Sequence, residues 1–249
     1  MAIDLPILLR AYAAGLFPMA DDRGAQAVFW VQPDKRAVLP LEGFHLSHSL
    51  RKLIRAERFA VTTDEAFDQV IALCAESAQD RPTTWINRDI EEAFVRLHRL
   101  GMAHSVECWE LGDESGDSEP RLVGGLYGLA MGRAFFGESM FSRADNASKV
   151  AMAWLVARMR AGHYTLLDCQ FMTSHLASLG AVEVSADDYS ALLDDALVPG
   201  EGAVADWSAL DSLALPADEL PTAPPLPSTR TVSAPVSGQL IAQLITQTS

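Results

Sequence analysis

Gly124-Gly125-Leu126-Tyr127-Gly128-Leu129-Ala130-Met131 and Ala134-Phe135-Phe136-Gly137-Glu138-Ser139-Met140-Phe141-Ser142, followed by Asn146-Ala147-Ser148-Lys149 and Leu167-Asp168-Cys169-Gln170, decide how this chain folds. The first two are apolar runs interrupted by glycine and closed by polar residues, which is the pattern of neighbouring strands. Asn146 is placed to cap a helix whose Val150, Ala151, Trp154, Leu155 and Met159 recur at three- and four-residue spacing and which Gly162 ends. Tyr164 to Cys169 reads as a short buried strand. Strand, strand, helix and strand carry Glu138, Asp168 and Gln170 toward one cleft at strand ends, where open mixed sheets tend to hold ligands.

Upstream, Asp4 and Pro6 open a short helix bearing Leu8, Leu9 and Tyr12, and Phe29–Val31 and Ala37–Leu39 read as short strands about the turn at Pro33-Asp34. Ser49 is placed to cap a helix with Leu50, Leu53 and Ile54 inside and Arg51, Lys52, Arg55 and Arg58 outside. Thr63 is placed to cap the next, with Phe67, Val70, Ile71 and Cys74 on one face. Asn87 starts a third, acidic in its first turns and basic near its end, the order the helix dipole favours. His104 to Leu111 alternates as a strand, with Gly112 to Pro120 as its hairpin loop. Beyond Gln170 come a helix at Thr173–Leu179, a strand at Val182–Val184 and a helix over Asp187–Leu197. Pro216 to Pro235 is Pro-, Ser- and Thr-rich and reads as a flexible tail. Its last piece, Gln239–Gln247, puts Leu240, Ile241, Leu244 and Ile245 on one face of a marginal helix.

A chain of 249 residues, 49% of them hydrophobic, supports one large core or two modest ones. No run approaches the roughly 20 apolar residues of a membrane span, and no signal-peptide pattern opens the sequence. The expectation is a soluble, cytoplasmic protein. Cys74, Cys108 and Cys169 share no CxxC spacing and read as reduced, buried residues; His45 and His48 lack a third ligand, so no metal site is expected. The net charge of −14 is uneven: residues 181–249 hold ten acids against Arg230, leaving −5 for residues 1–180. Whole-chain charge is therefore a poor argument against a nucleic-acid partner, and the Arg51–Arg58 cluster, taken alone, reads as a solvated helix face sooner than as a phosphate-binding one.

Trp30 to Leu39, Thr84-Trp85-Ile86, Ala103-His104-Ser105-Val106-Glu107, Gly124 to Gly128, Gly137 to Lys149 and Leu167 to Gln170, in that order, resemble the leucyl/phenylalanyl-tRNA–protein transferase family over residues 8–185. The resemblance implies an α+β fold: a small N-terminal α/β domain (1–62), a GNAT-like (acetyltransferase-like) domain with a mixed, mainly antiparallel sheet (63–197), and the tail (198–249). It implies transfer of Leu or Phe from leucyl- or phenylalanyl-tRNA to the N-terminal Arg or Lys of a protein, creating an N-degron, with no cofactor.

The same resemblance implies the roles. Gln170 accepts from the attacking amine, Asp168 orients and polarises Gln170, and Glu138 holds an amino group. Leu126, Phe135 and Met140 form the side-chain pocket. Trp85 and Trp30 stack on the terminal adenosine, and Arg51, Lys52, Arg55 and Lys149 meet tRNA phosphates. Asn146 and Ser142 cap the helix or line the site. Two departures bear on tRNA affinity: Val31 and His48 replace residues common in the family. Arg143-Ala144-Asp145-Asn146 stands where acetyltransferases carry a glycine-rich loop, which speaks against coenzyme A as donor. A same-fold transferase with another acceptor, or a non-catalytic binder of aminoacyl-tRNA or protein N-termini, stays open.

Overall fold

Two glycines set how closely the layers approach. A Cβ on Gly124 would lie 2.5 Å from the Ala147 Cβ, and one on Gly128 would lie 2.4 Å from the Phe135 ring. Any larger residue would push a helix and an aromatic ring off the strand. The computed structural model describes residues 2–76, 83–112, 119–198, 204–213 and 236–246.

The chain begins with α1 (Leu5–Ala13), β1 (Phe17–Met19), β2 (Phe29–Val31), β3 (Lys35–Val38), α2 (His48–Arg55) and β4 (Ala60–Thr63). Then come α3 (Phe67–Cys74), α4 (Arg88–Arg99), β5 (Ala103–Glu110), β6 (Arg121–Met131) and β7 (Ala134–Ser142). The last part holds α5 (Ala147–Ala161), β8 (Leu166–Gln170), α6 (Ser174–Ser178), β9 (Val182–Ser185), α7 (Ala186–Leu197), a 3₁₀ turn at Ala209–Leu213 and α8 (Gly238–Thr246). The fold is α+β, as expected.

One seven-stranded mixed sheet runs in the order β4-β5-β6-β7-β8-β3-β9, and β1 and β2 form a separate ribbon. Every pairing is antiparallel except β7 with β8. Strand β3 lies between β8 and β9, although more than a hundred residues separate them in sequence. A domain boundary at residue 62 would pass through β4, so residues 35–63 are not separable from the sheet.

Apolar layers cover both faces. Leu126, Phe135, Leu167 and Cys169 face α2, α5 and α8; Tyr127, Leu129, Phe136 and Leu166 face α1, α3, α4 and α7. Helix α5 is buried almost all round, including Met152, Ala153, Val156 and Ala157, which the expected stripe left outside. The reason lies beyond the family-like region. The buried Arg158 guanidinium holds the 3₁₀ turn through Asp211 (2.6 and 2.8 Å) and the Trp207 carbonyl (2.6 Å), and α8 packs alongside. The expected flexible tail is thus docked at 204–213 and 236–246; residues 214–235 lie outside the described residues.

Local signals were displaced by a turn in three places. Ser47, not Ser49, caps α2 by accepting from the Leu50 N–H at 3.2 Å. Thr63 belongs to β4, and α3 begins after Ala66 without a side-chain cap. Asn146 occupies the N-cap of α5 in a left-handed conformation (φ 67°) but makes no capping bond; Ser142 Oγ accepts from the Ser148 N–H at 3.2 Å instead.

Candidate active site in a fork of the sheet

The parallel ladder between β7 and β8 is short. It pairs Ala134 with Leu166, Phe135 with Leu167 and Phe136 with Asp168, and then stops. At that point β7 carries a bulge: opposite β6, Gly128 faces Gly137 and Tyr127 faces Ser139, so Glu138 is the extra residue. A bulge bends a strand and re-aims the side chain at its centre. Here it turns Glu138 toward α1 and flips the parity beyond it, putting Met140 on the α5 face beside Leu126. The two strands part into a fork with Glu138 on one prong and Gln170 on the other.

The prongs are tied at their base. The Gln170 side-chain amide donates through Nε2 to Glu138 Oε1 at 2.8 Å, which leaves Gln170 Oε1 accepting no bond from the described residues. Gln170 sits at φ +60°. A side chain in that left-handed region costs on the order of 1 kcal/mol or more unless its surroundings hold it. Asp168 does the holding, since its Oδ1 accepts the Gln170 backbone N–H at 2.8 Å. The expected polarising contact from Asp168 to the Gln170 amide is absent; the carboxylate fixes the backbone, and Glu138 touches the amide.

Asp168 is itself fully enclosed, a burial tolerated only with a complete set of partners. Arg36 of β3 grips it bidentately, Nε to Oδ1 at 2.9 Å and Nη2 to Oδ2 at 2.6 Å, and the Tyr189 hydroxyl of α7 donates to Oδ2 at 2.9 Å. The Arg36 guanidinium also donates to the Gly15 carbonyl at 3.0 Å and is sandwiched between the Phe17 and Tyr189 rings, 4.5 Å from each centroid. Burial and the Asp168 charge together push the Tyr189 phenol pKa upward, so it remains a donor.

Glu138 is in the opposite condition. Burial pushes its pKa up to about 8, and the neighbouring Asp168 charge adds to the rise, while Tyr12, Arg36 and Gln170 pull it partway back. The Tyr12 hydroxyl of α1 faces the carboxyl closely enough to interact electrostatically. Even so, neither Tyr12 Oη nor Glu138 Oε2 completes a hydrogen bond of ordinary geometry among the described residues. A carboxyl poised near neutrality with one unpaired oxygen is equipped to receive a cation or exchange a proton. The other deeply buried carboxyl, Glu107, is satisfied by Ser105 and Thr62 and is structural.

The remaining candidates distribute around this fork. Leu126 and Phe135 are buried and Met140 half-buried on the α5 face, opposite to Glu138. Cys169 points there too, away from the fork, and burial pushes its thiol pKa up, both of which argue against a nucleophilic role. Trp30 is 36% exposed on the β1–β2 ribbon, and Trp85 is half-buried at the edge of the α1/α4 layer. Lys149 lies in the first turn of α5, near enough to His175 to join burial in depressing that imidazole's pKa. Arg51, Lys52 and Arg55 lie on α2, which belongs to the α5 layer, so they are not brought together with Glu138.

Four members of the site escaped the sequence reading. Tyr12 read as part of an apolar stripe, Arg36 fell between the Pro33-Asp34 turn and the strand at Ala37–Leu39, and Tyr189 and Phe171 fell in a helix and in the segment after Gln170 without any role. Phe171 is 45% exposed and packs edge-on against Phe17 at 5.6 Å. An exposed aromatic directly after Gln170 is the one signal that could have flagged it. Hollows of about 400 and 550 Å³ lie along α4 between Arg23, Arg88, Arg96 and Arg99, but their rims mix acids with bases and contain no group of the fork.

Comparison with known proteins identifies the family. A family model described as leucyl/phenylalanyl-tRNA protein transferase matches residues 38–194, and one described as the N-terminal domain of that transferase matches residues 1–34. The gap between them, residues 35–37, falls within β3 and includes Arg36. The leucyl/phenylalanyl-tRNA–protein transferase of Rhizorhabdus wittichii is 58% identical, with 100% of this chain and 99% of that protein covered. The transferases of Zymomonas mobilis and Phenylobacterium zucineum are 54% and 48% identical, covering 85% and 97% of this chain and 76% and 96% of theirs. Among solved structures, FemX aligns over 72% of this chain and 66% of its own at a TM-score of 0.48 and 10% identity, too slight a likeness to carry an argument. With family models matched in order along the chain and relatives aligned nearly end to end, this chain belongs to the leucyl/phenylalanyl-tRNA–protein transferase family.

Proposed function

We propose that this protein transfers Leu or Phe from charged tRNA to the N-terminal Arg or Lys of acceptor proteins in the cytoplasm, leaving an N-terminus that marks them for proteolysis. The observation that carries the reading is the fork, with two unpaired acceptors, Gln170 Oε1 and Glu138 Oε2, where the β7–β8 ladder ends. In this reading the donor's ester lies beside Gln170 and its apolar side chain is received by Leu126, Phe135 and Met140.

The chemistry asks little of a base. The aminoacyl ester is already activated, and an α-amine with a pKa of roughly 7.7 to 8 is partly neutral near pH 7. In this scheme Gln170 Oε1 accepts an N–H of the attacking amine and aims its lone pair at the ester carbon. The new C–N bond forms as the ester C–O bond breaks, and the terminal ribose oxygen of the tRNA takes the proton the amine gives up. Glu138 offers its free oxygen to a substrate ammonium, and Asp168, locked by Arg36 and Tyr189, keeps Gln170 in place. Orientation supplies most of the rate, with proton handling adding on the order of 10² to 10⁴. Trp30, Trp85 and Phe171 offer faces for the terminal adenosine, and Arg51, Lys52, Arg55 and Lys149 offer charge to phosphates.

The test is transfer of radiolabelled Leu and Phe from charged tRNA to peptides beginning with Arg, Lys, Asp, Glu or Ala. Label on the Arg and Lys peptides is expected. Label on the Asp or Glu peptides alone would replace the acceptor assignment, and no label with tRNA binding retained would overturn the transferase reading.

A further inference from the structure

Helix α8 lies outside the region that the family models match, yet its seat is fully specified. Gly238, Ile241, Ala242 and Ile245 form its buried stripe, packed with Leu50 and Ile54 of α2 and the flank of α5. Its first N–H, on Gly238, donates to Glu57 Oε1 at 3.0 Å, and Glu57 adopts φ +48° at the end of α2. At its other end Arg160 of α5 donates through Nη1 to the Leu244 and Ile245 carbonyls at 2.7 and 3.0 Å, and through Nε to the Leu41 carbonyl at 3.2 Å. The approach at Gly238 is so close that a Cβ would stand 2.1 Å from the Ile54 carbonyl oxygen.

Helix α2 depends on such support. It has 8 residues, with the basic Lys52 and Arg55 exposed and Arg51 half-exposed opposite its buried Leu50 and Ile54. A helix that short is marginal by itself, well below the roughly 12 to 15 residues at which isolated helices begin to persist in water. Its position is therefore set by what it packs on. The described part of α8 carries no charged side chain, so it braces the apolar side of α2 without neutralising the basic side.

We infer that α8 is a positioning element for donor binding: it holds α2 so that Arg51, Lys52 and Arg55 present a fixed array to the phosphates of the incoming tRNA. This rests on the reading of α2 as a phosphate-binding helix given above.

Full-length chains carrying Gly238→Val, which drives a side chain into the Ile54 carbonyl, and Ile241→Asp, which charges the buried stripe, both undock α8. Each is assayed with two donors: leucyl-tRNA, and 3′-O-leucyl adenosine, which is too small to reach α2. The expected result is a KM for leucyl-tRNA raised about tenfold and a slope of log Kd against log salt flattened by about 2, as for three lost phosphate contacts. Turnover of the leucyl adenosine should not change. Unchanged tRNA kinetics in both variants, or an equal fall with both donors, overturns the inference. The double variant Arg51→Ala/Lys52→Ala separates the two layers of the argument. If it leaves tRNA affinity unaltered, the reading of α2 fails; if it weakens affinity while the α8 variants do not, only the role of α8 fails.

Discussion

Replacing Glu138 by Gln isolates the burden of one buried carboxyl. The side chain keeps its shape and an oxygen for the Gln170 amide, but it can no longer ionise. In the folded protein the Glu138 pKa stands near 8, against an ordinary value of 4.5. Between those two pH values the folded chain retains a proton that the unfolded chain releases. Stability from this group is therefore complete below about pH 4.5 and is lost as pH rises through 8, an upper bound of about 5 kcal/mol. Urea unfolding of both proteins at pH 5, 7 and 9 measures it. Near-equal stability is expected at pH 5 and a variant more stable by about 2 to 4 kcal/mol at pH 9, or roughly 5 to 15 °C in Tm. A difference that does not change with pH, or a variant less stable at pH 9, would refute the argument from burial. The same variant should lose most of its transfer activity, because an amide in place of the carboxyl cannot compensate an ammonium charge.

Arg36→Met leaves Asp168 buried without its bidentate partner and should destabilise the fold by about 3 to 5 kcal/mol in urea titrations, partly restored when Asp168→Asn is added. Gln170→Gly relieves the left-handed backbone but leaves the buried Glu138 Oε1 without its donor, a cost of about 1 to 3 kcal/mol that offsets the relief, so stability in urea should change by less than about 2 kcal/mol while transfer falls by on the order of 10² or more in single-turnover assays. Arg51→Ala/Lys52→Ala should weaken leucyl-tRNA binding and flatten its salt slope by about 1.5 to 2 in filter-binding titrations, without altering kcat.

Much of the scaffold could be read from local pattern. Alternation located β5, glycine-interrupted apolar runs located β6 and β7, three- and four-residue spacing located α5, and the Asn87 cap with its charge order located α4, because those signals are local to each element. The partners of Asp168 could not be read this way. Arg36 lies 132 residues upstream and reaches it only because β3 inserts between β8 and β9, a pairing that no local periodicity encodes. The bulge at Glu138 was hidden for a similar reason. The string Gly-Glu-Ser-Met-Phe alternates acceptably at either parity, and only the opposing strand shows which residue is extra. The site residues that motif order supplied, Glu138, Asp168 and Gln170, do converge. Those that depend on distant packing, Arg36, Tyr12 and Tyr189, had to be seen. Composition led to a flexible reading of the tail, and its Pro-rich middle gave no hint that Trp207 and Ile241 at its two ends have seats on α5.

The insertion of β3 also governs when the site can exist. A ribosome delivers roughly 5 to 20 residues per second, so about 7 to 26 s pass between the making of Arg36 and that of Asp168, with β9 and Tyr189 later still. Throughout that interval the β3 segment has neither neighbour to pair with, and its arginine has no carboxylate to meet. The β8-β3-β9 end of the sheet is thus among the last parts of the molecule that can close, and a truncated nascent chain carries most of the transferase fold with no working fork.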